Sequence, residues 1–154
     1  MDSILSKISI FLCSLLITNN AFTQIDKKIK TGIYSVSEKG IKFKHKESGK
    51  SYYINEQPIC TIEHFKKVKI DFNSYGQYAL YFELDTIGTK IFFQATQKWL
   101  DKRLAFIIDN ELIYCPKVIA PIKGGKIIVT GSFKREEIKK MKIKIEKEMQ
   151  SIRR

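Results

Sequence analysis

Cys60 and His64 lie four residues apart, and a thiol beside an imidazole is a recurrent design for an activated nucleophile. Pro58 and Thr61, however, place Cys60 at the expected entrance of a short helix, where its side chain need not face His64. Cys115 has no base close to it in sequence. Asp109 falls in an expected hairpin turn, where Asp is common for backbone reasons alone. Glu136 and Glu137 open the last expected helix, where acidic residues favour the dipole. No trio of nucleophile, base and orienting group is visible, so an enzyme is not expected. Neither Cys60 nor Cys115 has a ligand partner at short spacing, and the two histidines are His45 and His64. No metal and no cofactor is therefore expected.

Gly124-Gly125, flanked by Lys123 and Lys126, raises the possibility of a phosphate cradle. Such a cradle needs its glycine turn to run directly into a helix N-terminus. Here the pair runs into KIIVTG, an expected strand, so it reads as a turn or bulge. Gly131-Ser132 does precede a helix, but a glycine serving the strand-to-helix bend is the simpler reading. The seven tyrosines, Tyr34, Tyr52, Tyr53, Tyr75, Tyr78, Tyr81 and Tyr114, are many for a small basic domain. Rings alternating along strands leave part of their number on a solvent face. Such faces and edges bind extended polypeptide, and they also arise from β propensity alone.

The elements that position these residues follow from periodicity. GIYSVS, IKFKHK and SYYIN alternate apolar with polar, separated by Glu38-Lys39-Gly40 and Glu47-Ser48-Gly49, which predicts short strands joined by tight turns. Thr61 is a plausible N-cap for a short helix carrying Ile62, Phe65 and Val68. KIDFNSYGQYALYFEL predicts two strands around a turn at Asn73 to Gly76. From Thr86 to Leu100, Ile87, Ile91, Phe92, Ala95 and Trp99 recur at helical spacing. RLAFIID and ELIYC are two strands joined at Asp109-Asn110, a pair that tolerates the left-handed backbone of a two-residue hairpin. Pro116 should end the second of them. Lys134 to Ile152 is a helix with Ile138, Met141, Ile145, Met149 and Ile152 along one stripe. The expected class is α+β, an antiparallel or mixed sheet with both helices packed on one face.

The 154 residues, 44% of them hydrophobic, suffice for one compact unit. Lys7 followed by the apolar run Ile8 to Ile17 reads as a signal peptide over residues 1–23, with an uncleaved anchor as the alternative. The run falls short of the roughly 20 apolar residues a comfortable span requires. Export makes the mature chain periplasmic or secreted. It leaves Cys60 and Cys115 either as a disulfide or as two half-buried thiols. The formal net charge of +12 favours acidic partners, including an anionic membrane surface. Nucleic acid is not expected, because the lysines are scattered along an exported chain.

Leu84, Gly88, Phe92 and Thr96 are each four apart. Together with Leu104-Ala105, Asp109, Pro116, Ile122-Lys123-Gly124-Gly125, Gly131 and Phe133, they resemble the head region of the first large periplasmic domain of SecD, the protein-export subunit. Order and spacing agree from Tyr78 to about Glu148, and a weaker match covers Gly32 through Ile70. The chain accordingly divides into a strand-rich part, residues 24–77, and a head-like part, residues 78–154, within one unit. The resemblance implies a non-enzymatic module that contacts extended or unfolded polypeptide, or a translocon-associated envelope protein. It implies a binding surface at Tyr114, Cys115, Pro116, Gly124 and Gly125. Leu84, Gly88, Phe92, Thr96, Asp109, Gly131 and Phe133 would then be the structural residues of the motif. Asn110 stands where the family has Gly, Tyr114 and Cys115 replace Ser and Ala, and Lys134 replaces a capping Thr or Ser. SecD also carries several membrane spans, and no such span is expected here after the leader.

Overall fold

The structure, a computed structural model, describes residues 28–153. The expected leader lies outside the described residues. Eight strands and two α-helices follow in the order β1 (Gly32–Ser37), β2 (Ile41–Lys44), β3 (Ser51–Thr61), a 3-10 turn (Ile62–His64), β4 (Phe65–Phe72), β5 (Tyr78–Leu84), α1 (Thr86–Lys98), β6 (Leu104–Ile108), β7 (Glu111–Tyr114), β8 (Lys126–Thr130) and α2 (Arg135–Ile152). The class is α+β, as the periodicity predicts. The strands divide between two sheets, ordered β2-β3-β1-β6-β7 and β4-β5-β8. All named strand pairs are antiparallel.

The uninterrupted apolar run of β6 has a direct cause. Leu104, Phe106 and Ile108 enter the larger core, which the three-stranded sheet and both helices share. Ala105 and Ile107 enter a smaller core on the opposite face, with Tyr34, Ile54, Leu112 and Cys115. A strand covered on both faces loses its polar alternation. The hairpin that follows turns at Asp109 and Asn110, with φ of 50° and 63°, the left-handed pair a two-residue turn demands. β7 then curls toward β2, where the Lys46 N–H donates to the Leu112 carbonyl at 3.0 Å.

α1 starts at Asp85, whose carboxylate accepts the Gly88 N–H at 2.6 Å, an ordinary side-chain cap. Its buried residues are Gly88, Phe92, Ala95 and Thr96. The face is thus rotated from the expected one, and Ile87 is 63% exposed. α2 buries Ile138, Met141, Ile145 and Met149 against β4, β5 and the 3-10 turn, while Ile152 is exposed. Lys134 provides no side-chain cap. Glu137, three residues on, accepts the Lys134 backbone N–H, half of a capping box. Phe133 packs against the core that Ile138 enters, as a staple does.

The short helix expected after Thr61 is absent. One 3-10 turn leads into β4. Ile62, Phe65 and Val68 are all buried as their spacing suggests, but a register shift between Phe65 and Lys67 brings this about. A bulge adds one residue to a strand, so apolar residues three apart reach the same face.

Candidate functional site

Cys60 lies at the end of β3, fully buried, with its Sγ 3.8 Å from the Gly88 carbonyl. Burial, with the nearby Asp85 charge, pushes its thiol up to about 12. A nucleophilic cysteine needs the opposite shift. His64 instead approaches the capping carboxylate of Asp85, Nδ1 to Oδ1 3.7 Å. Cys115 is buried in the smaller core and its thiol is pushed up to about 11, again by burial. The cysteines belong to separate cores and are not bonded to each other.

The motif residues Leu84, Gly88, Phe92 and Thr96 gather where α1 meets the end of β5 and the loop between β7 and β8, while Asp109, Gly131 and Phe133 make contacts of their own. Leu84 closes β5 inside the larger core, beside Phe92. Gly88 lets α1 approach the turn at His64, since a Cβ there would stand 2.6 Å from the His64 Cβ. The fully buried Thr96 hydroxyl donates to the Phe93 carbonyl at 2.9 Å and accepts the Ile122 N–H at 2.9 Å. It ties the long loop between β7 and β8 to the helix. Gly125 sits against Thr89 and Leu84, where a side chain has no room, whereas Gly124 faces open space. The Gly125 carbonyl accepts the Leu84 N–H at 2.8 Å. Asp109 pairs with Lys144 on α2 and with Lys28, and its N–H donates to Thr31 Oγ1 at 3.1 Å. Gly131 lies beneath the Phe133 ring.

Tyr114, Cys115 and Pro116 form a ridge between two grooves. Tyr114 and Pro116 line both. One groove, about 300 Å³, is mainly apolar and is walled by Phe92, Phe106, Ile119, Ile122 and Ile128. Ile119 and Ile128 are exposed, Ile119 to 84%. The other, about 550 Å³, is polar and aromatic, with His45, Lys50, Tyr52, Tyr75 and Arg103 on its walls. Tyr114 is braced by Phe106, ring centroids 5.8 Å apart. Among the described residues, β8, beside the apolar groove, pairs with β5 alone. Its other edge offers main-chain donors and acceptors. Gly124 and Gly125 line neither groove. Sequence reasoning missed Arg103 and Ile128, which come from separate segments, and named Tyr52 and Tyr75 among seven tyrosines without bringing them together. The available signal was that Arg103 is the first arginine in a lysine-rich chain.

Among the described residues, no helix is long and apolar enough to cross a membrane. The family model of the SecDF P1 head subdomain matches residues 38–148. The chain is similar to protein translocase subunit SecD of Magnetococcus marinus, 30% identical over 94 residues, covering 59% of this chain and 18% of that protein. It is also similar to SecD of Rickettsia conorii, 29% identical over 120 residues, covering 77% of this chain and 22% of that protein. The chain spans about a fifth of the length of these relatives. A crystal structure of SecDF in a super-membrane-facing form matches with TM-score 0.63 at 17% identity, over 74% of this chain and 18% of that one. A structure of SecDF, described as a membrane component that enhances protein export, matches with TM-score 0.62 at 15% identity, over 77% of this chain and 62% of that one. At such identities the structural likeness speaks for the fold. The family match takes in the whole run from Leu84 to Phe133, and by it this chain belongs to the SecDF P1 head subdomain family.

Proposed function

We propose that this chain is a non-catalytic module that holds extended or unfolded polypeptide outside the cytoplasm, in connection with protein export. The observation that carries this reading is the Tyr114–Pro116 ridge, grooved on both sides and lying near the open edge of β8. Extended chains bind such places through main-chain bonds to the strand edge and side-chain pockets beside it. The two thiols, raised rather than lowered, argue against thiol catalysis. Membership of a family found in a translocase subunit supports the link to export. Of the sites expected from the resemblance, Tyr114 and Pro116 act as contacts. Cys115 contributes its backbone, and Gly124 and Gly125 shape the loop.

The test is site-specific photocrosslinking with a photoreactive residue at Tyr114 and a control at exposed Lys147. A reduced, unfolded secretory protein should label position 114 well above 147, and the same protein folded should not. Equal labelling at both positions would overturn the reading.

A second reading, attachment to an anionic surface, is favoured by one observation. The outer face of α2 presents exposed Lys140, Lys144 and Lys147 around Ile143, which is 51% exposed. Sedimentation with anionic vesicles, lost on neutralising Lys140 and Lys147, would support it.

A further inference from the structure

The polar groove has a chemistry that the apolar one lacks. Arg103 Nη1 donates to the Cys115 carbonyl at 2.6 Å, and its guanidinium lies over the Tyr52 ring at 5.9 Å. These contacts fix the plane of the guanidinium and occupy one of its five N–H donors. Lys50 stands on the same groove wall. Among the described residues, no acidic side chain pairs with Arg103 or with the Lys50 ammonium. The groove's one acidic residue, Glu47, already accepts from the Ser132 hydroxyl. A pre-oriented guanidinium with open donors, sharing its groove with a second cation that has no acidic partner, suits a carboxylate. Tyr75, 86% exposed at the tip of the β4–β5 hairpin, adds an aromatic wall.

Resting on the polypeptide-holding reading, we infer that this groove receives an acidic side chain of the bound polypeptide while a large apolar residue of the same segment occupies the groove across the ridge. Tyr114 and Pro116 each line both grooves, so an extended ligand at about 3.3 Å per residue passes from one to the other within a few residues. The preferred segment thus carries Asp or Glu a few positions from Leu, Ile or Phe. The overall +12 charge draws such segments in at long range. Arg103 then provides the local selection.

Fluorescence anisotropy of the full chain with three unstructured peptides tests this. The peptides have equal length and apolar content and carry Glu, Gln or Lys three residues from a Phe. The Glu peptide should bind about tenfold tighter than the Gln peptide, the scale of one charge-assisted contact. The Lys peptide should bind weakest. Arg103→Gln should bring Glu and Gln peptides within about twofold, weakening the Glu peptide well beyond any loss for the Gln peptide. Lys50→Gln should narrow the gap part of the way. If the Glu and Gln peptides bind alike, or Arg103→Gln weakens both equally, the acidic selection is wrong and polypeptide holding stands. If no peptide binds, both readings fall.

Discussion

The hydroxyl of Thr96, fully buried on α1, receives the N–H of Ile122 from the loop that joins β7 to β8. The same oxygen donates its proton to the Phe93 carbonyl, so the threonine is fully used. Thr96→Val keeps the shape and removes both bonds, leaving the Ile122 N–H without its acceptor among the described residues. An unsatisfied group of this kind costs about 1–3 kcal/mol. Urea unfolding should show that loss for Thr96→Val and a smaller one for Thr96→Ser. A Val variant as stable as the parent would mean the loop is held by its apolar contacts alone.

Two glycines of the motif should respond oppositely to alanine. At Gly88 a Cβ would meet the His64 Cβ at 2.6 Å and its carbonyl at 3.2 Å, so either helix or turn must move. Overpacking of this sort costs about 1–3 kcal/mol. At Gly124 no atom lies within 4 Å of the added Cβ, and no left-handed backbone is recorded there. Gly124→Ala should therefore stay within about 0.5 kcal/mol of the parent. Thermal unfolding of the two variants decides it, and equal losses would contradict the packing described.

These residues also mark what the sequence makes legible. Asp109-Asn110 announces its turn because few residues tolerate two successive left-handed conformations, and α2 announces itself through an unbroken stripe. The segment after Thr61 misleads because the bulge near Lys67 imitates helical spacing. On α1, the spacing of Ile87, Ile91 and Trp99 suggests a face that the fold does not bury whole. The glycine at 88 and the threonine at 96 sit inside instead, because close approach and a loop tether outweigh hydrophobicity there. Within the ridge, Pro116 follows the family motif, whereas Tyr114 and Cys115 depart from it. The polar groove beside it is not legible, since His45, Tyr52, Tyr75 and Arg103 meet only after both sheets have formed.

Cys60 and Cys115 should be silent to a thiol reagent in the folded protein and both react on unfolding. Their folded thiols ionise near 12 and 11, against an ordinary value of 9.0. The unfolded chain therefore loses these protons first as pH rises, and stability falls from about pH 9 toward 11. Replacing both cysteines with alanine should remove that part of the alkaline decline. Rapid labelling of either native thiol near neutral pH would show an opening that the buried cores do not suggest.

At the acidic end the relevant pairs join the sheets to α2. The Lys144 ammonium beside Asp109, with Lys28 near it, holds the Asp109 carboxyl below its ordinary 3.8. Lys46, bridging Glu111 and Glu137 at 3.0 and 2.9 Å, does the same for Glu137, whose ordinary value is 4.5. A carboxyl depressed in the folded state binds its proton later than the unfolded chain does as pH falls. Its stabilising contribution is therefore present above about pH 4.5 and is lost as pH drops through the folded values. Asp109→Asn separates charge from turn geometry, because Asn accepts the same left-handed backbone. This variant should keep its hairpin, lose a small increment of stability at pH 7, and show a flatter acid limb. Both differences should shrink in about 1 M salt, where the screening length falls to about 3 Å. An Asp109→Asn variant with an unchanged acid limb would leave the acid sensitivity to the other depressed carboxyls, Glu137 in its Lys46 bridge and the exposed Asp71 and Glu83. Lys46→Met, tested in the same way, would then flatten it only if the Glu137 bridge carries it.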